Sequence, residues 1–170
     1  LKRGEYRQLF DLFVQVQQQY PALHSYHQRC FNFLLNARMA EWLSHYFPHY
    51  VLALRSSGRG AQIHSAYKQV LKIKADYKPD NAELCHALAR ECRDKGDNMA
   101  AVKLLTGLHK TWPQYPGLRA AYELLADTLA DLPELQAQAE KCRQLAANFP
   151  ASASVAPVPA RRAALAPSNA

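Results

Sequence analysis

The sequence predicts an all-α chain of stacked antiparallel helical hairpins, irregular in the middle and ending in a disordered or extended tail. Three observations carry that expectation. Apolar residues recur at helical spacing while strand alternation is absent. Turn residues and closing prolines punctuate the chain at a repeated interval. From Pro150 to Ala170 the composition turns to alanine, proline, serine and asparagine, with no aromatic residue and no periodic apolar face.

The first helix is marked by Leu9, Phe13 and Val16, between the turn residue Gly4 and the closing Pro21. Three irregular helices are expected next, at roughly 22–36, 39–56 and 61–77, with a break near Pro48 and a turn at Gly58 and Gly60. Cys85, Leu88, Ala89 and Cys92 then fall at i, i+3, i+4 and i+7, the stripe that buries one helical face. Asp80, with Glu83 three residues on, signals the start of that helix. Gly96 supplies a left-handed stop, and Asp97 or Asn98 can cap the next helix. That helix carries Ala101, Leu104, Leu105 and Leu108 until Pro113 ends it. Two matched stripes bury one another, so Ala82 to Thr111 is expected to be one hairpin turning at Gly96.

The interval recurs elsewhere. Gly4 to Pro21, Gly96 to Pro113 and Pro133 to Pro150 are each 17 residues, and Pro79 and Pro113 stand 34 apart. This resembles the tetratricopeptide repeat, a pair of antiparallel helices about 34 residues long. Over Ala82 to Tyr115, the residues Leu88, Ala89, Gly96, Ala101, Leu108 and Pro113 fall where that pattern asks for Leu, Gly, Gly, Ala, Ala and Pro. Cys85 and Cys92 take its Trp and Tyr places. A second copy runs from Arg119 to Pro150, with Tyr122, Leu125 and Ala126 in place but Pro133 where the turn glycine belongs. Leu1 to Pro21 resembles the back half of another copy, whose missing front helix is expected to leave Phe10 and Phe13 without their usual packing neighbours. Residues 22–78 depart from the pattern, being 57 residues where two copies need 68. The chain is thus expected to hold a repeat domain over 1–149 and a tail over 150–170.

Composition narrows the function. At 49% hydrophobic and 21% charged, the chain is neither wholly disordered nor fibrous. Its longest apolar run, Tyr50 to Leu54, is far below the roughly 18–20 residues of a membrane-spanning helix. Four cysteines are too few for a disulfide scaffold, so a reducing, cytoplasmic setting is the expectation. The chain begins at Leu1 without methionine or a signal segment, which reads as a fragment. A variant of that reading makes it the soluble part of a protein anchored to a membrane by a segment before Leu1.

The net charge of +7 is unevenly spread. Residues 1–78 hold 11 basic and 4 acidic side chains, whereas residues 79–149 hold 8 and 10. Arg55, Arg59, Lys68, Lys72, Lys74 and Lys78 face only Asp76 in that stretch of sequence. Such a cluster can track nucleic acid or an anionic membrane surface, and equally it can be a solvated helix face.

Signs of catalysis are lacking in the sequence: no Gly-rich phosphate loop, G-x-S-x-G or H-E-x-x-H is present. Glu41, His45 and His49 lie at i, i+4 and i+8 but Pro48 intervenes, and His24 and His27 read as packing residues. Cys85 and Cys92 are about 10 Å apart along a helix, too far for a disulfide between them, and read as small core residues. An enzyme, a cofactor and a small-molecule substrate are therefore not expected. The resemblance implies instead a concave groove, lined by the first helix of each pair, that binds a protein or peptide segment. Its contact positions map onto Gln28 and Asn32, then Glu83, His86, Arg90 and Arg93, then Glu123 and Asp127. The alternative is that Arg90 and Arg93 merely pair with Glu123 and Asp127 on the neighbouring helix. A tail carrying Arg161 and Arg162 is expected to seek the same acids, if ordered.

Overall fold

A computed structural model describes residues 3–20 and 22–150 of the chain. The segment 151–170, and with it the expectation for Arg161 and Arg162, lies outside the described residues. Within them the protein is all-helical, without a strand. Helices α1 (Arg3–Gln19), α2 (His24–Asn36), α3 (Ala40–Ser56) and α4 (Ile63–Ile73) form the first half, with a 3₁₀ turn at Gly60–Gln62 before α4. The second half holds α5 (Ala82–Asp94), α6 (Asn98–Leu105), α7 (Leu108–Thr111), α8 (Leu118–Ala130) and α9 (Gln136–Ala147), with a 3₁₀ turn at Pro133–Leu135. No described helix is long and apolar enough to cross a membrane.

Successive helices pack on one another: α2 on α3, α4 on α3, α5 on α4 and α6, α8 on α6, and α9 on α8. The hairpin expected at Ala82 to Thr111 turns at Gly96, whose φ of 73° is the left-handed value that lets the chain reverse without a Cβ clash. Asn81, one residue after the predicted Asp80, is the actual cap of α5, its side chain accepting the Leu84 N–H at 2.8 Å. Asp97 caps α6 through the Ala100 N–H. Both cysteine positions are fully buried, Cys85 and Cys92 alike, as small core residues.

The second arm of that hairpin is not continuous to Pro113. Thr106 leaves the helix with ψ of 128°, and Gly107 takes φ of 76°, so α6 ends and α7 begins afresh. Leu108 stays fully buried across this break.

Pro48 corrects a second expectation, because α3 runs through it unbroken. A proline at 48 removes the amide that would bond the Ser44 carbonyl. Here that carbonyl accepts the Tyr77 hydroxyl at 3.1 Å, so the group orphaned by Pro48 is satisfied from outside the helix. Tyr77 is placed for this because α4 stops at Ile73, four residues before the predicted end, and the chain turns inward. Its own carbonyl in turn accepts the Tyr67 hydroxyl.

Phe10 and Phe13, expected to lack the neighbours a front helix supplies, pack instead on rings of α2 and α3. Phe10 lies 4.9 Å from Trp42 between ring centroids, and Phe13 meets Tyr26, Phe33 and Tyr46 edge-on.

Candidate functional site

The residues expected to line a groove divide into several environments. Gln28 and Asn32 are exposed one turn apart on α2. On α5, Glu83 and Arg90 are exposed and Arg93 is half-buried. Arg93 reaches across to α8, where its guanidinium lies 3.9 Å from a carboxylate oxygen of both Asp127 and Asp131. Glu123 is held within its own helix by Arg119 Nε at 3.0 Å. The helix packing thus brings Arg93 to Asp127 but leaves Arg90 without a carboxylate partner among the described residues. No hydrogen bond or ion pair among the described residues joins Gln28 or Asn32 to the α5–α8 set.

His86 departs from its predicted role. It is buried, with Nδ1 3.0 Å from the Tyr115 hydroxyl. Its Nε2 is buried with no hydrogen-bond partner among the described residues. Burial, aided by the nearby Arg90 charge, pushes its pKa down to about 4, so the ring is neutral near pH 7. It is a wall of the α5 packing surface and not an outward contact.

The basic face is partly neutralised by folding. Arg55, Arg59, Lys68 and Lys72 are exposed, while Lys74 and Lys78 are half-buried. Lys68 Nζ sits 3.1 Å from Asp97, which His64 Nε2 also approaches at 3.3 Å. Burial works to raise the Asp97 carboxyl, but the bonds from Lys68 and His64 outweigh it and hold the pKa below the ordinary value. Lys78 Nζ donates to the Thr106 carbonyl at 2.9 Å, the acceptor freed where α6 breaks at Gly107.

Between α4, the segment 75–78 and α6, this face encloses an open trough of about 610 Å³. Tyr67, Leu71, Ala100 and Leu104 form its apolar base, Met99 stands at its edge 57% exposed, and Lys68, Lys78 and Lys103 ring it with Asp76 and Asp97. Sequence reasoning missed this feature, since three separate segments build it. The available signal was Met99, an apolar residue off the Ala101, Leu104, Leu105 and Leu108 stripe.

In the first half, His27 is fully buried between two partners. The Tyr20 carbonyl can only accept, so Nε2–H donates to it at 3.1 Å and Nδ1 accepts the Tyr46 hydroxyl at 2.9 Å. Burial raises the pKa of Tyr46 and of the adjacent Cys30 thiol, leaving both protonated. Glu41, His45 and His49 share the unbroken α3, yet among the described residues no group of three or more His, Cys, Asp and Glu side chains is placed to hold a metal ion. No family model, no curated protein and no solved structure matches this chain.

Proposed function

We propose that the chain is a tetratricopeptide-like helical-repeat scaffold, an α-solenoid that holds a protein or peptide segment against the outward positions of α2, α5 and α8. The observation that carries this reading is the sequential packing of the α5–α6 and α8–α9 hairpins through small residues. Ala89, Ala101, Ala121 and Ala126 are all fully buried, as close approach of neighbouring helices requires. In this reading Arg90 is an uncommitted contact and Arg93 is shared with Asp127, while Gln28, Asn32, Glu83 and Glu123 complete a mixed-charge surface. The protein works in the cytoplasm by binding a protein, without catalysis, cofactor or small-molecule substrate. A binder of nucleic acid or anionic membrane through Arg55 to Lys78 is the weaker reading, because Asp97 already neutralises Lys68 within that stretch.

Two measurements test it. A photo-crosslinking residue at position 83 in cells should capture a discrete protein that the same chain carrying Arg90→Glu/Arg93→Glu no longer holds. Recovery unchanged by charge reversal sinks the groove. Removing residues 118–150 should leave residues 1–117 helical with a cooperative melt, since repeats are stabilised by neighbours alone. Collapse of the whole chain would argue for one indivisible bundle.

A further inference from the structure

The trough between α4 and α6 shares no residue with the α2, α5 and α8 positions, so it stands apart from the reading above. We propose that it is a second binding site, one that takes an acidic amphipathic helix of a partner protein. Apolar side chains of that helix rest on Leu71, Met99 and Leu104, and its carboxylates meet Lys78 and Lys103.

Charge complementarity commits the site to an acidic occupant. Asp97 is already engaged by Lys68 and His64, so its charge is answered within the fold. Lys78 is half-buried and no carboxylate pairs with it among the described residues. It gives one hydrogen bond to Thr106, and an ammonium has three donors, so two remain for an incoming acceptor. Burial lowers its pKa. Lys103 on the rim is exposed and likewise has no carboxylate partner among the described residues. Asp76 is the opposing charge, and two cations against it leave the trough basic.

Shape and chemistry favour a helix over other polyanions. A volume of about 610 Å³ admits several side chains, and an open trough between two helices is the setting of helix-in-groove recognition. An exposed methionine on the edge adapts to varied apolar partners. A nucleic acid would want aromatic faces for its bases. Tyr67 and Tyr77 are instead buried, their hydroxyls spent on the Tyr77 and Ser44 carbonyls. A flat bilayer leaves a concave apolar base unfilled.

The test uses the full 170-residue chain and a fluorescein-labelled peptide of about four helical turns, leucine at i, i+3, i+4 and i+7 and glutamate elsewhere. A companion peptide carries lysine for each glutamate. By fluorescence anisotropy the acidic peptide should bind at least about tenfold more tightly than its companion. Met99→Asp and Lys103→Glu, both at exposed positions and checked for helicity by circular dichroism, should each weaken it about tenfold, whereas Arg90→Glu/Arg93→Glu should change it less than about twofold. Equal binding of the two peptides overturns the proposal, as does indifference to Met99→Asp and Lys103→Glu. So does an equal loss in the Arg90 and Arg93 variant, which would move the peptide to the other face. Binding of anionic vesicles or poly-uridylate that Lys103→Glu abolishes, with no acidic-peptide binding, overturns it in favour of a polyanion surface. Because the test of the α2, α5 and α8 positions varies Arg90 and Arg93 alone, either site can fail without the other.

Discussion

The core of α1–α3 sets a network of rings among its aliphatic residues, whereas the core of α5–α9 is mostly alanine, leucine and cysteine. In the first, Phe31 stacks on Tyr50 at 4.2 Å, Phe10 lies tilted against Trp42 at 4.9 Å, and Phe13 meets Tyr46 and Phe47 meets Tyr77 edge-on. In the second, Leu88, Ala89, Cys92, Ala101, Leu104, Leu105, Ala121 and Ala126 are buried at helical spacing. Small side chains let helix axes approach to one short distance, so a single interval can repeat. Rings set a different separation at every contact. Their polar tips also demand partners, as His27, Tyr46 and Tyr77 show by reaching for one another and for the backbone.

The largest effects should separate the two cores. Phe47 is fully buried and touches the rings of Phe31, Tyr67 and Tyr77, so Phe47→Ala should cost about 3–5 kcal/mol. Leu88→Ala and Leu105→Ala should cost about 2–5 kcal/mol, toward the lower end where neighbouring small residues can close the gap. Urea denaturation measures both. A Leu88→Ala loss larger than that of Phe47→Ala would mean the aliphatic core is the more rigid.

Next in size is a pH effect centred on His86. His27 has partners on both ring nitrogens, whereas His86 has one on Nδ1 and none on Nε2. With its folded pKa near 4 and an unfolded value near 6.5, His86 takes up a proton more readily in the unfolded chain. Stability is therefore full above about pH 6.5 and falls as pH drops toward about 4, by at most about 3 kcal/mol. Burial depresses His24 and His49 as well and adds to the same slope. Melting at pH 7 and pH 4.5 should show the loss, and His86→Gln should flatten it. Identical slopes for the two proteins would place the acid sensitivity elsewhere.

A smaller effect tests how the ring-built half tolerates a proline. Tyr77→Phe leaves the Ser44 carbonyl without its donor and should cost about 1–3 kcal/mol. Pro48→Ala restores an amide within the helix to that same carbonyl. The Tyr77→Phe penalty should accordingly shrink by about 1 kcal/mol in the Pro48→Ala background. Additive losses would mean that the helix amide cannot reach Ser44 even when present.

These cases show what is legible in a sequence and why. The hairpin at 82–111 is readable because cap, stripe and turn glycine are all local, and each acts within a few residues of itself. Pro48 misleads because its compensation comes from Tyr77, 33 residues past the carbonyl it serves. His86 misleads for a related reason: helical register assigns a direction, but Tyr115, 29 residues onward, decides what covers it. Gly107 hides because Leu108 continues the apolar stripe across the break. The trough is least legible, since its basic rim and apolar base come from segments whose juxtaposition only the fold defines.

The smallest effect bears on the aliphatic half and on its proposed contact surface. Arg93 spans α5 to α8, reaching Asp127 and Asp131 at 3.9 Å, the long end of ion-pair distances. The Arg93 side chain is one-third exposed and both aspartates are about half exposed, so water and salt screen the pairs. Holding a long guanidinium in one place also costs rotamer freedom. Arg93→Ala should thus lower stability by about 0–1 kcal/mol, less at high salt than at low. That small value is what a binding residue requires, because a side chain fixed firmly to its neighbour would have to break that bond before meeting a partner. A loss above about 2 kcal/mol, measured by urea melts at two salt concentrations, would assign Arg93 to holding α5 on α8 and leave Arg90 as the cation of the proposed contact surface.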